Sequence, residues 1–300
     1  GGAVTSLAMA RYLYVTVNPR VDNSIRISYS SMEFVDDIDE IQHELVREAM
    51  KSTGVTHGIE VTTIADIPSR GTGLGSSSAV TIGLLNALSS LAGNPMSSEE
   101  LAKEACRIEI DVLGQPIGKQ DQYAAAIGGV NTIGFLPDGS VSVDPLSLSE
   151  NTKQRIENEF CLVYTGLTRS ANSVLSKQKE MTADRMNELS TLRLQAFQVR
   201  SALEDGRLNE VGRLLEESWQ IKRTLVDGIS GELLDNLHDK LIDAGATGAK
   251  LLGAGGGGFF LVHGDLEMKE RLENSLNPEN RVLPLLIDYD GSTIIHDDGK

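Results

Sequence analysis

The sequence predicts an α+β fold, in which strands and helices are mixed without a regular repeat. Apolar residues alternate over Tyr12–Val17, as they do in a half-buried strand, whereas residues 76–92 carry apolar side chains at helical spacing. The order of such segments lacks the strand–helix–strand repetition that builds a doubly wound parallel sheet. The sequence therefore favours an α+β fold over a doubly wound sheet.

The first half of the chain contains four strand-like stretches, several helical ones and clear turn signals. Ser97 and Glu100 have the spacing of a capping box, so a helix is expected to begin there and to end before Gly114. The predicted elements are strands at 12–17, 25–29 and 58–67, helices at 37–52, 76–92 and 98–113, and a strand after the turn at Gly128–Gly129.

A domain boundary is expected where the polar stretch 149–154 precedes a strand at Phe160–Thr165. The sequence thus predicts an N-terminal domain at residues 1–155 and a C-terminal domain at residues 156–300. The second half is expected to hold helices near 170–204, 207–227, 230–245 and 265–276, and strands at 259–263, 282–287 and 292–296.

Composition excludes several classes of protein. The 300 residues carry a net charge of −16 and only 4% aromatic residues, which argues against nucleic acid and anionic membranes as partners. No apolar stretch approaches the roughly 18–20 residues of a membrane span. Two cysteines without metal-type spacing indicate no disulfide framework, so we expect a cytoplasmic protein; a homodimer is left open.

A glycine- and serine-rich run, Pro68–Ala79, is the strongest functional signal. Three glycines allow the backbone to approach a ligand closely, and the three serines that follow stand where a helix begins. Free amides and the positive end of a helix dipole form an anion site, most plausibly for a nucleotide phosphate. The run lacks the lysine of a P-loop and the glycine spacing of a dinucleotide fold. The predicted phosphate-binding residues are Arg70, Gly71, Thr72, Gly73, Leu74, Gly75, Ser76, Ser77 and Ser78.

Acidic residues between positions 104 and 121 are candidates for phosphoryl-transfer chemistry. Such transfer needs a carboxylate near Mg²⁺ and often a second one that accepts the hydroxyl proton. Glu109 and Glu104 lie at opposite margins of the apolar stripe of their helix, and periodicity alone does not choose between them. Asp121 follows a turn that contains Gly114, Pro116 and Gly118.

A second glycine-rich segment lies at Lys250–Phe259. Its glycines at 253 and 255–258 allow a close backbone approach, either to a ligand or to another loop. By itself this segment does not distinguish a packed turn from a phosphate contact.

These three elements together resemble the motifs of the GHMP kinases, a superfamily that includes galactokinase, homoserine kinase and mevalonate kinase. Gly73-Leu-Gly-Ser-Ser77 matches the family's phosphate loop, and Lys250–Phe259 matches its C-terminal glycine motif. Between them, the turn Gly114–Gly118 matches the family's Gly-x-Pro-x-Gly turn, with Glu109 before it and Asp121 after it. The resemblance implies two domains, an N-terminal one like ribosomal protein S5 and a C-terminal ferredoxin-like one, with the active site between them. It also implies that ATP and Mg²⁺ are the cofactors.

The resemblance assigns roles to single residues. Glu109 is implied as an Mg²⁺ ligand together with the Ser77 hydroxyl, while Ser76 and Ser78 contact phosphate. Asp121 is implied as the catalytic residue that orients or deprotonates the acceptor hydroxyl, with Asp111 as the weaker alternative.

Within the superfamily, the motifs are most similar to those of bacterial D-glycero-D-manno-heptose 7-phosphate kinases. These enzymes phosphorylate the anomeric hydroxyl of a sugar that already bears a phosphate. A phosphorylated substrate needs cations, for which Arg169, Lys119 and Arg223 are candidates, and the resemblance adds Gly255, Gly256 and Gly257 as substrate contacts. Two alternatives stay open: another kinase of the superfamily, such as a galactokinase or fucokinase, and a non-catalytic nucleotide-binding regulator.

Overall fold

The computed structural model describes residues 1–67, 72–168 and 171–299; the side chains of residues 171–173 are not described. In chain order the strands are β1 (Gly2–Leu7), β2 (Leu13–Pro19), β3 (Ile25–Ser28), β4 (Met32–Val35), β5 (Ile59–Ala65), β6 (Val130–Phe135), β7 (Val141–Pro145), β8 (Phe160–Tyr164), β9 (Ala246–Leu251), β10 (Phe259–Gly264) and β11 (Val282–Pro284). The α-helices are α1 (Glu44–Thr53), α2 (Ser76–Leu91), α3 (Ser98–Cys106), α4 (Gln120–Ile127), α5 (Glu150–Glu159), α6 (Ala171–Glu180), α7 (Met186–Glu204), α8 (Leu208–Lys222), α9 (Glu232–Asp243) and α10 (Met268–Ser275).

Contacts divide the described chain into two compact units. The first unit holds residues 1–10, 72–74 and 129–287, and the second holds residues 11–67, 75–128 and 288–299, all within the described ranges. The mixed sheets and helices confirm the predicted α+β class. The predicted boundary at residue 155 divides the chain into two continuous stretches, whereas each compact unit combines separate stretches. The predicted boundary stays a prediction.

The second unit combines a four-stranded sheet with helices α1 to α4, in which α2 packs against β2 and the other three helices contact α2. Its strand order is β2-β5-β3-β4, in which β5 pairs antiparallel with β2 and parallel with β3. Helix α2 approaches β2 closely because it carries a glycine at position 83: a Cβ there would lie 2.8 Å from Cγ2 of Val15. This approach fixes α2 against the sheet and so fixes the position of its N-terminus.

The first unit contains two antiparallel sheets. One has the order β1-β6-β7, and the other has the order β11-β8-β10-β9. On the four-stranded sheet, Phe260 and Val262 point into a core that includes Trp219 of α8 and Leu237 and Leu241 of α9. Since β9 is at the edge of its sheet, the neighbouring helix α8 has to complete its hydrogen bonding. None of the helices within the described ranges combines the length and apolar character that spanning a bilayer requires.

Several predicted elements are confirmed and others are wrong. The capping box of Ser97 and Glu100 is present at the start of α3. The predicted helix 37–52 is wrong at its start, because Asp37 caps a separate 3₁₀ turn at Ile38–Glu40 and α1 begins only at Glu44. The predicted strand 292–296 is wrong as well: this segment is irregular, and Ser292 hydrogen-bonds to Ala126 and Asn86 of the same unit.

Candidate active site

The head of α2 in the second unit is formed by a glycine rather than by a capping side chain. Gly75 has a φ of 71° and is the N-cap residue of the helix, so this position offers no side chain that could accept a hydrogen bond from the first turn. A Cβ at Gly75 would come within 3.1 Å of both Cβ and Cγ of Asp121, so the Asp121 side chain packs against this bare backbone. Both the left-handed conformation and the lack of space require glycine here. The predicted catalytic residue therefore lies at the positive end of the α2 dipole.

Beneath the same helix end, the carboxylate of Glu109 is fully buried. The Ser78 hydroxyl donates to Glu109 Oε2 at 3.0 Å, and Gln122 Nε2 donates to the same oxygen at 3.1 Å. Both donors are themselves buried, whereas Glu109 Oε1 is buried without any hydrogen-bond partner. One oxygen of the carboxylate is thus held in place while the other lacks the partner that a buried acceptor requires.

Burial raises the pKa of the Glu109 carboxyl above its ordinary value of 4.5. The side chains of Thr81, Ser78 and Gln122 oppose this rise, although the Thr81 hydroxyl donates its proton to the Ser77 carbonyl at 3.2 Å, and the nearby Asp121 charge adds to the rise. The net direction is upward because desolvation penalises the ionised form more than these polar neighbours favour it. A cation at Oε1 would remove this penalty.

The burial of Glu109 comes from a change in helix geometry. Residues Arg107–Val112 continue α3 as a π-helical segment, in which Leu113 N–H donates to the Ile108 carbonyl at 2.9 Å. The wider turn buries both Ile108 and Glu109, although they are adjacent in sequence. Asp111 in the same segment is exposed.

The structure also decides between the two glutamates that periodicity left equal. Glu104 is half-buried and pairs with Arg107 and with the Ser52 hydroxyl, and the Arg107 hydrogen bond lowers its pKa. Its carboxylate is therefore engaged in a structural ion pair. Glu109 alone has a buried oxygen that lacks a partner.

The residues around Glu109 fit a divalent cation of the Mg²⁺ type. The unpartnered Oε1 is a hard oxygen ligand that is already deprived of water, and a second carboxylate, Asp121, is close enough to affect its pKa. Within the described ranges, no group of three or more His, Cys, Asp or Glu side chains is placed to hold a metal ion. The pair of carboxylates at Glu109 and Asp121 suits Mg²⁺, which usually takes one or two carboxylates and completes its shell with water and substrate phosphates.

The remaining residues of the predicted phosphate loop fall into two groups. Ser76 and Ser77 open α2 in the second unit, where Ser77 is exposed, so it is Ser78 and not Ser77 that contacts Glu109. The metal-binding role of Ser77 stays a prediction. Thr72, Gly73 and Leu74 belong to the first unit, and Thr72 is buried there. Arg70 and Gly71 lie outside the described residues.

The predicted substrate contacts are also distributed. Lys119 is half-buried and precedes α4 in the second unit, and Arg169 lies outside the described residues. In the first unit, Gly256 N–H donates to the Ile229 carbonyl at 2.9 Å, and Gly255 packs against Ile229. Gly257 packs against the Leu167 carbonyl, where a Cβ would come within 2.6 Å. These three glycines thus have packing roles, and substrate binding by them stays a prediction.

Arg223, the third candidate cation, is engaged within the first unit. It forms an ion pair with Asp235, and its guanidinium lies 5.8 Å from the centroid of the Trp219 ring. Asp235 also accepts a hydrogen bond from the Ser230 hydroxyl at 2.5 Å. Arg223 therefore joins the end of α8 to the start of α9, and this ion pair accounts for its charge without a ligand.

Sequence reasoning missed the part played by Gln122 and did not foresee that Ser78 donates to Glu109; the phosphate contact predicted for Ser78 stays a prediction. A usable signal was present, because Gln122 and Ala126 are four residues apart on the buried face of α4. A glutamine on an apolar face needs a partner, and Glu109 was the nearby candidate without one.

Comparison with known proteins places this geometry in a family context. A model described as the GHMP kinases N terminal domain matches residues 41–129, and one described as GHMP kinases C terminal matches residues 199–279. The two together cover more than half of the chain, and the first includes α2, Glu109 and Asp121.

Individual relatives agree with the family match. The D-glycero-alpha-D-manno-heptose 7-phosphate kinase of Campylobacter jejuni is 28% identical over 295 residues, covering 93% of this chain and 86% of that protein. The L-fucokinase/L-fucose-1-P guanylyltransferase of Bacteroides fragilis is 29% identical over 84% of this chain, which spans only 27% of that protein. The crystal structure of a D-glycero-D-manno-heptose 1-phosphate kinase from Bacteroides thetaiotaomicron shares the fold with a TM-score of 0.80 at 24% identity, covering 97% and 89% of the two chains.

The raised pKa of Glu109 predicts how the substitution Glu109→Gln changes stability with pH. The unfolded chain ionises Glu109 near its ordinary pKa of 4.5, whereas the folded protein retains the proton to higher pH. As pH rises through this range, ionisation of the carboxylate therefore lowers the stability of the folded wild type. Glutamine does not ionise and has no such cost. As pH rises, the free energy of unfolding of the variant should therefore increase relative to that of the wild type. Urea unfolding in EDTA between about pH 4 and pH 8 measures it.

Glu104→Gln is the matched control, because the pKa of Glu104 is lowered and its ionisation favours the folded state. As pH rises, the free energy of unfolding of Glu104→Gln should therefore decrease relative to that of the wild type. Parallel pH curves for the two variants would contradict this assignment of the buried charge.

Proposed function

We propose a reaction for this chain from the premise that it belongs to the GHMP kinase family and is therefore an ATP-dependent kinase that phosphorylates an alcohol group. The proposed acceptor is the anomeric hydroxyl of D-glycero-D-manno-heptose 7-phosphate, which becomes the 1,7-bisphosphate. Support for this sugar comes from the similarity to the C. jejuni heptose 7-phosphate kinase along 93% of the chain.

The observation that carries the reaction type is the pair of carboxylates at the head of α2. Asp121 packs against Gly75 at the helix end, and Glu109 is buried beneath it with Oε1 unpartnered. Phosphoryl transfer needs little covalent help, so positioning and charge stabilisation supply most of the rate enhancement. A helix N-terminus together with two differently held carboxylates provides both.

Glu109 is proposed to hold Mg²⁺ through Oε1, while Ser78 and Gln122 fix the carboxylate through Oε2. Mg²⁺, when bound, supplies neutralisation of the negative charge on the phosphate oxygens. The amides of α2's first turn and the Ser76 and Ser77 hydroxyls are proposed to bind phosphate, with Ser77 also a candidate metal ligand. Because Ser78 already donates to Glu109, its role is to orient this carboxylate.

Asp121 is proposed to accept a hydrogen bond from the acceptor hydroxyl and to take its proton as the bond to phosphorus forms. The packing of its side chain against Gly75 limits the positions that the carboxylate can adopt.

Lys119 and Arg169 are proposed to bind the phosphate that the sugar already carries. A fucokinase-like specificity is the second candidate, favoured by the relative from B. fragilis.

A substrate panel tests the proposed acceptor. ATP consumption is measured with heptose 7-phosphate, galactose, fucose and mevalonate, and the phosphorylated position is identified by ³¹P NMR. We expect kcat/KM for heptose 7-phosphate to exceed the others by about 100-fold or more, because a site built for a second phosphate rejects sugars that lack it. Preferred turnover of fucose would support the second candidate, and nucleotide binding without turnover of any sugar would indicate a regulator.

The substitution Asp121→Asn tests the proposed catalytic residue. Asparagine keeps the shape that packs against Gly75 but cannot take a proton, so kcat should fall by about 10²- to 10⁴-fold. Nucleotide affinity, measured with a fluorescent ATP analogue, should stay within a few-fold of the wild type. The control is Asp111→Asn, at the exposed alternative position. The assignment fails if Asp121→Asn turns over normally or if Asp111→Asn is the variant that loses kcat.

A further inference from the structure

Lys222, the last residue of α8, holds two backbone carbonyls where β9 passes into the glycine loop, residues 252–258. Its Nζ donates to the Leu251 carbonyl at 3.0 Å and to the Gly253 carbonyl at 2.5 Å. We propose that Lys222 is a positioning residue of the kinase: it fixes the glycine loop on which Thr72 and Gly73 of the phosphate loop are seated. This inference rests on the proposed function, in which that phosphate loop binds ATP.

Two side chains of α8 hydrogen-bond backbone groups of the edge strand β9. Glu216 accepts from the Ala249 N–H at 3.3 Å, and Lys222 donates to Leu251 two residues further along. An edge strand otherwise presents unpaired backbone groups, so these bonds set the path of β9 up to its last residue. Because the same ammonium also donates to the Gly253 carbonyl, it restrains the backbone at the start of the glycine loop as well.

The glycine loop and the start of the phosphate loop touch through bare backbone within the first unit. A Cβ at Gly253 would lie 2.4 Å from the Cα of Gly73, and a Cβ at Gly258 would lie 2.2 Å from the Thr72 carbonyl oxygen. No side chain intervenes at these contacts, so a shift of the glycine loop has to move Thr72 and Gly73 with it. The contact is tight enough to transmit displacements of a few tenths of an ångström.

Lys222 is the strongest single constraint that we find on this loop in the described part of the chain. The other bonds to it join neutral groups, such as Gly258 N–H to the Leu167 carbonyl at 2.9 Å and Gln178 to the Ala254 carbonyl at 3.4 Å. A bond from an ammonium is roughly twice as strong as a neutral one. This bond also fixes the direction in which the peptide faces. In a trans peptide the Ala254 N–H points away from the Gly253 carbonyl, so holding that carbonyl sets the direction of the Ala254 N–H as well. A glycine peptide could rotate readily without this restraint.

The experiment compares Lys222→Met, which keeps the chain length but removes the donors, with Lys222→Arg, which keeps the charge and the donors. Lys240→Met is the matched control, because Lys240 is exposed in the last turn of α9 in the same unit. Hydrogen exchange of residues 72–74 and 252–258 is measured without any ligand. The dissociation constant for an ATP analogue and the separate KM values for ATP and sugar are measured next, with thermal unfolding as a check that each variant is folded.

Lys222→Met should speed exchange in both segments and weaken ATP binding about tenfold, with KM for ATP rising and KM for the sugar unchanged. Lys222→Arg should retain most of the wild-type behaviour, and Lys240→Met should match the wild type. Unchanged exchange in residues 72–74 would overturn the proposal. Weaker ATP binding with unchanged exchange would overturn it as well, because Lys222 would then act on the nucleotide directly. If wild-type protein binds no ATP, the proposed function fails, whereas the exchange data still decide whether Lys222 holds the loop.

Discussion

A carboxylate buried away from water and hydrogen-bonded through only one oxygen governs the arrangement of the candidate active site. Burying an ionised Glu109 is costly unless partners compensate, and the second unit supplies them only to Oε2, from Ser78 and Gln122. Meeting this need aligns three elements: the head of α2, the π-helical segment that presents Glu109, and α4. The uncompensated Oε1 is then the point at which a ligand gains the most by binding.

A different constraint operates in the first unit, where backbone lies against backbone. Gly253 and Gly258 contact Gly73 and Thr72 so closely that any side chain would separate them. The second glycine motif is therefore explained by packing within this unit, which requires no ligand. In the proposed kinase this packing seats one end of the predicted phosphate loop, and the hydrogen bonds of Lys222 to Leu251 and Gly253 join the same segment to α8.

The sequence predicted elements where periodicity was strong and missed those where a single contact decides. The α2 helix and the capping box at Ser97 follow from local pattern, and so they were predictable. Helix α5 was missed because its polar sequence has little apolar periodicity, with Ile156 as its buried apolar residue. Glu109 is buried in a π-helical segment, and helical spacing in the sequence does not predict such a segment. The choice of Glu109 over Glu104 therefore needed the structure. Gln122 was overlooked because its partner lies 13 residues away on another helix.

The central claim is that Glu109 and the head of α2 together bind the metal–nucleotide complex. A crystal structure with a non-hydrolysable ATP analogue and Mg²⁺ tests it most directly. The account predicts triphosphate oxygens at the amides of α2's first turn and a metal ion about 2.1 Å from Glu109 Oε1. A triphosphate bound away from this helix end, or a metal ion that leaves Oε1 without a ligand, would contradict it.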